Sequence, residues 1–136
     1  MRRYLNAGSV ALLTFLMALV ASVPLYAQLG GRPAEQWAIV LESGRRLGSL
    51  EIENVVSLIE IQQGQVVADL GAGTGVFSVP LARAVGATGT VLAVEVDQGF
   101  LPMIDAKARE AGLDNIQSVL GEFTDPNLPR SDVDVA

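Results

Sequence analysis

A strand-like run that ends in an acid and breaks into three alternate glycines constrains this chain more than any other feature: Val67-Ala-Asp-Leu-Gly-Ala-Gly-Thr-Gly75. Apolar residues from Val66 to Leu70 read as a short buried strand, and the run from about Val76 to Val85 reads as a helix. Glycines at 71, 73 and 75 permit the tight turn between them and let a ligand lie against bare backbone beneath the helix amino terminus. Two phosphate-binding patterns are excluded by the spacing. A dinucleotide fingerprint begun at Gly71 or Gly73 needs glycine at 76 or 78, where Val76 and Ser78 stand. A Walker loop needs a lysine at the helix start, and none precedes Lys107.

The rest of the chain repeats the alternation. Gln28 to Pro33 reads as a spacer, and Glu35 to Leu50 as one or two short helices. Ile52, Val55, Val56 and Ile59 fall on one face of a helix closed by the glycine turn at Gly64. Thr90 to Val96 and Ile116 to Leu120 are further strands, Gly99 to Ala111 a further helix, and Gly121 to Arg130 a polar loop. Strands that are nearly continuous in apolar residues and alternate with helices predict an α/β fold, a Rossmann-like open parallel sheet covered on both faces with right-handed crossovers. Val133 to Ala136 opens a fourth strand, so the expectation is a domain incomplete after the start of strand four.

Composition bounds the chemistry. With 136 residues, half of them apolar and 18% charged, the chain is one small domain or a piece of one, not a disordered acidic tail. It contains neither Cys nor His, so thiolate nucleophiles, imidazole bases and the usual zinc sites are absent and no metal site is expected. Carboxylates and backbone groups must carry any chemistry. Fifteen acidic residues against nine basic ones, a net charge of -6, disfavour nucleic acid as a partner and favour a small neutral or cationic molecule.

Arg2 and Arg3 precede an apolar run from Val10 to Ala21 and small residues up to Ala27, the pattern of a secretory signal peptide. The bulky Leu25 lies two residues before the cut site, and the apolar run is shorter than the roughly 20 residues of a comfortable span. A retained anchor and a misplaced start are the competing readings. The expected organisation is therefore a signal at 1–27, a spacer and helical segment at 28–50, and a partial ligand-binding domain at 51–136. Export makes the domain periplasmic or secreted, with membrane contact only through 1–27 if uncleaved; it is membrane-anchored or cytoplasmic if the signal is not used.

The glycine segment resembles motif I of class I S-adenosylmethionine-dependent methyltransferases, a strand followed by Asp-x-Gly-x-Gly-x-Gly, and the resemblance covers residues 50–136. It implies that S-adenosyl-L-methionine is the cofactor, with Asp69 facing its methionine amino group and Gly71, Gly73 and Gly75 bringing backbone against it. The second strand ends Ala93-Val-Glu-Val-Asp97, where Glu95 matches the family acid that binds the ribose hydroxyls. Asp97, read as exposed, could accept a diol in the same way. After the third strand, Glu122 matches the acid that meets the adenine amino group, with Phe123 beside it. The reaction implied is in-line methyl transfer to an unknown acceptor, expected to be a small molecule; residues facing that acceptor lie after the fourth strand, and no catalytic residue is identified.

Structural readings compete with each assignment. The glycines could form a bare turn, Glu95 or Asp97 could cap a helix, and Glu122 could be a solvated loop residue. Arg45-Arg46 reads as a solvated helix face rather than an anion clamp, and Trp37, Phe77 and Phe100 read as packing residues. For the whole chain, the alternative to an enzyme is an exported module that binds a nucleoside-type ligand without catalysis. S-adenosylmethionine is made in the cytoplasm, so export and use of that cofactor pull in opposite directions.

Overall fold

The computed structural model describes residues 31–136, so the signal at 1–27 lies outside the described residues. Helices α1 (Ala34–Leu41), α2 (Gly44–Ser49) and α3 (Ile52–Leu58) lead into β1 (Val66–Leu70), α4 (Ser78–Val85) and β2 (Thr90–Glu95). A short 3-10 turn (Gln98–Phe100), α5 (Leu101–Glu110) and β3 (Ile116–Leu120) follow. Pro80 and Pro102 both fall in the first turn of their helices, where no N–H is required. α3 departs from expectation: it ends at Leu58, and the first left-handed residue beyond it is Glu60, at φ 55°, with Gly64, at φ 87°, making a separate turn before β1. Only part of its apolar face is used, Val56 packing on the core while Val55 and Ile59 stay part exposed.

The three strands are parallel in the order β1-β2-β3, with Val67 opposite Val91 and Val91 opposite Ile116. The expected fourth strand is present as a single parallel bridge, Val135 to Val67, on the free edge of β1, where the Ala68 N–H donates to the Val135 carbonyl at 2.8 Å. The chain thus steps outward from β1 to β3 and returns to the other side of β1. Open α/β sheets bind ligands at the carboxyl ends of strands beside such a reversal.

Alternation along the strands sorts the core into two faces. Val67 and Val91 pack with Leu81, Ala82 and Val85 of α4, and Ala93 packs with Ile104 of α5. Val66, Leu92, Val94 and Val119 face the other way, where Leu128 and Val133 cover them. Among the described residues, the second face is therefore covered by the segment after β3. β2 lies between, and Val91, Leu92 and Ala93 are inaccessible to solvent.

Candidate functional site

The glycine turn is pinned to the end of β2. N–H groups of Gly71 and Ala72 both donate to the Val94 carbonyl, at 2.9 and 3.0 Å. Gly71, Gly73 and Gly75 have φ of 77°, 54° and 79°, in the left-handed region that makes glycine the residue of choice. A side chain at Gly71 would meet nothing within 4 Å, so its backbone faces open space, whereas Gly73 is overlain by Leu41 Cδ1 and Gly75 by Ile104.

Two carboxylates stand at the strand ends. Glu95 is 5% exposed and accepts three backbone N–H bonds: Gly73 to Oε2 at 2.8 Å, and Val96 and Asp97 to Oε1 at 2.7 and 3.1 Å. A carboxylate has about four lone-pair positions, so one is left; a vicinal diol would take it and displace one amide. Asp69 accepts the Ser78 hydroxyl at Oδ2, 2.6 Å. Burial pushes the Asp69 carboxyl above its ordinary range; the Ser78 bond opposes this and the nearby Glu95 charge adds to it. An acid in that condition gains from a cationic partner.

Asp97 is buried, not exposed. Its Oδ1 accepts the Gly99 N–H at 2.9 Å and caps the 3-10 turn, and its Oδ2 is buried without a hydrogen-bond partner. Glu95 and Asp97 thus have different roles: Glu95 faces the glycine turn and Asp97 holds the turn that starts the next helix.

Asp69, Gly71, Gly73 and Glu95 line one pocket with Thr74 and Phe100. Gly75 shapes the loop behind it. Glu122 and Phe123 are exposed in the loop beyond β3, Phe123 at 79%, and do not line it. Leu41 and Arg46 also line it; Leu41 is not marked by the sequence, and Arg46, weighed there as an anion clamp but read as a solvated face, departs from that face, while Arg45 is exposed. No local pattern marks them, because α1 and α2 reach the strand ends through tertiary packing. Ala34 is seated on Gly99, where an added Cβ would lie 2.7 Å from Ala34 Cβ, and Lys107 of α5 is paired with Glu42 at 2.6 Å.

The pocket measures about 180 Å³. Ligand sites start near roughly 300 Å³. A nucleoside-sized molecule must therefore run past its rim, along the exposed carboxyl ends of the strands. Grooves of about 420 to 480 Å³ occur elsewhere between helices, but none includes the strand ends or the glycine turn.

Comparison with known proteins gives a consistent result. A family model described as a methyltransferase domain matches residues 67–136. Nocamycin O-methyltransferase of Saccharothrix syringae is 31% identical over 81 residues, 60% of this chain and 29% of that protein. The 23S rRNA (uracil(1939)-C(5))-methyltransferase of Psychrobacter arcticus is 40% identical over 67 residues, 49% of this chain and 13% of that protein. A SAM-dependent methyltransferase structure from Aquifex aeolicus superposes with a TM-score of 0.63 at 28% identity, covering 70% of this chain and 51% of its own. The chain thus spans about half or less of the length of each of these proteins.

Proposed function

Because this chain belongs to the class I S-adenosylmethionine-dependent methyltransferase family, with the methyltransferase-domain model matching residues 67–136, we propose that its pocket holds S-adenosyl-L-methionine for methyl transfer to a small-molecule acceptor. The observation that carries this reading is the meeting of Asp69, the open backbone of Gly71, the Gly73 backbone and Glu95 in one pocket at the strand ends. The donor set fits the group. Asp69, held protonated more readily than an ordinary carboxylate, gains from an ammonium; Glu95 has an acceptor position left for a ribose hydroxyl; and nothing lies within 4 Å of a side chain placed at Gly71.

When bound, the cofactor supplies an electrophilic methyl group on a sulfonium. This chain's residues supply position and electrostatics. Glu95, fixed by three backbone amides, would hold the ribose in one orientation, and the Asp69 carboxylate would hold the amino end. Ser78, inaccessible to solvent, fixes the Asp69 carboxyl through its hydroxyl. Glu122 and Phe123, at the carboxyl end of β3, stand on the edge across which the adenine would extend. In-line methyl transfer depends on alignment in a shielded cleft more than on an acid–base pair, so the lack of His and Cys is compatible with it.

A small acceptor is supported by the acidic balance of the chain, which opposes the long-range attraction of phosphate chains. Export is supported by Arg2, Arg3 and the apolar run after them, and a periplasmic reporter fused after residue 30 tests it: reporter activity supports export, and its absence with the reporter expressed removes that part of the reading. For the cofactor, calorimetric titration of S-adenosylmethionine and S-adenosylhomocysteine into the full chain is decisive. Saturable binding that falls at least about tenfold in a folded Glu95→Ala variant is expected; no binding by a chain that is folded by circular dichroism would overturn the reading.

A further inference from the structure

The charges of this chain are unevenly spread. Residues 1–50 hold five of the nine basic residues and two of the fifteen acidic ones and so carry +3, while residues 51–136 carry -9. Of those two acids, Glu42 is paired with Lys107 of α5 at 2.6 Å, which leaves Glu35. Arg32, just ahead of α1, and Arg45, in the first turn of α2, are exposed. The Arg32 guanidinium lies over the Trp37 ring, 5.6 Å from its centroid.

α1 has two sides. Ala34, seated on Gly99, and Leu41, over Gly73, are two turns apart on one stripe, and that stripe holds the helix to the domain. Ile39 and Val40 lie off it and are 75% and 47% exposed. Large aliphatic side chains on the outside of a helix, beside a tryptophan and between exposed arginines, are the composition of a helix that lies in a membrane interface. The exposed apolar residues of α3 do not share it. Val55, Leu58 and Ile59 stand among Glu51, Glu53 and Glu60 in a stretch without a basic residue, which anionic lipid would repel. We propose that the outer side of α1 docks on the surface of an anionic bilayer, with Ile39 and Val40 entering its interface and Arg32 and Arg45 meeting lipid phosphates. At eight residues α1 is about 12 Å long, so it rests on a bilayer and does not cross it; among the described residues no helix is long and apolar enough to cross. This contact is additional to any made by residues 1–27. It also sets the helices that line the pocket, through Leu41 and Arg46, against the membrane.

Trp37, the one tryptophan, reports on α1 itself and so separates this contact from one made by residues 1–27. The full chain is mixed with vesicles whose lipids carry brominated acyl chains, either phosphatidylcholine alone or phosphatidylcholine with about 30% phosphatidylglycerol. Quenching of Trp37 is expected to be at least about twofold stronger with the anionic vesicles, since a single base near such a surface contributes on the order of fivefold in affinity. Ile39→Ser with Val40→Ser should remove most of that quenching, with the fold checked by circular dichroism. Arg45→Gln should weaken the affinity for anionic vesicles about threefold or more and leave the neutral ones unchanged; should the serine pair unsettle α1, this variant in α2 carries the comparison. Quenching that persists unchanged in both variants would overturn the proposal and leave residues 1–27 as the membrane contact. Equal quenching by neutral and anionic vesicles would overturn the assignment to an anionic surface, and no quenching by either would place the outer side of α1 in water.

Discussion

Asp69 is the residue where folding and binding oppose each other. Its folded-state carboxyl is raised above its ordinary value, mainly by burial, so proton binding favours the folded chain and that advantage is lost as pH rises from the ordinary carboxylate range through the raised value. At neutral pH the charge is carried at a cost that a cationic ligand relieves. Asp69→Asn, which keeps an acceptor for Ser78, should therefore stabilise the ligand-free chain at pH 7 and change it little at pH 3, as read from urea midpoints. The same variant should bind S-adenosylmethionine more weakly. In the wild type, affinity for that cation should fall as pH drops through the raised Asp69 value, because protonation removes the partner. A flat pH profile would show that Asp69 does not face the positive end.

At the scale of elements, the strands and the glycine turn were legible because their signals are local. Val66–Leu70 and Thr90–Glu95 are mostly apolar runs, and alternate glycines in the left-handed region leave few other readings. Three features were not legible. Asp97 looks like an exposed loop acid until the 3-10 turn folds over it; α3 ends at a left-handed Glu60 that no rule of glycine punctuation anticipates; and Arg46 reaches the pocket only because α1 docks on Gly99. That docking has its own test. Gly99→Ala would set a Cβ 2.7 Å from Ala34 Cβ, forcing α1 away. Trp37, the one tryptophan in the chain, lies in α1 and is partly buried, so its emission should shift to the red while the core unfolds at nearly the same temperature. Ile104→Ala, by contrast, empties the core between α5 and the sheet and should cost about 2 to 5 kcal/mol with Trp37 little affected until unfolding.

Over the whole molecule, charge and topology govern behaviour. The net charge of -6 predicts no measurable retention on ribosomal RNA at about 150 mM salt, in a filter-binding assay, where a phosphate-reading surface would hold; salt-sensitive retention would turn the acceptor reading towards nucleic acid. The surface pair Lys107–Glu42 adds little to stability, well under about 1 kcal/mol by a double-mutant cycle, since both side chains are part exposed. The return of the chain to the free edge of β1 also bears on time. The Val66 N–H finds its acceptor, Asp134 Oδ2, 68 positions along the chain, and Val67 its bridge partner only at Val135. A ribosome adding about 5 to 20 residues per second needs on the order of 10 s to cross that interval. During it the strand bearing Asp69 is a nascent chain with a bare edge, open to a chaperone, while the last residue lining the ligand pocket, Phe100, is already made midway through the interval.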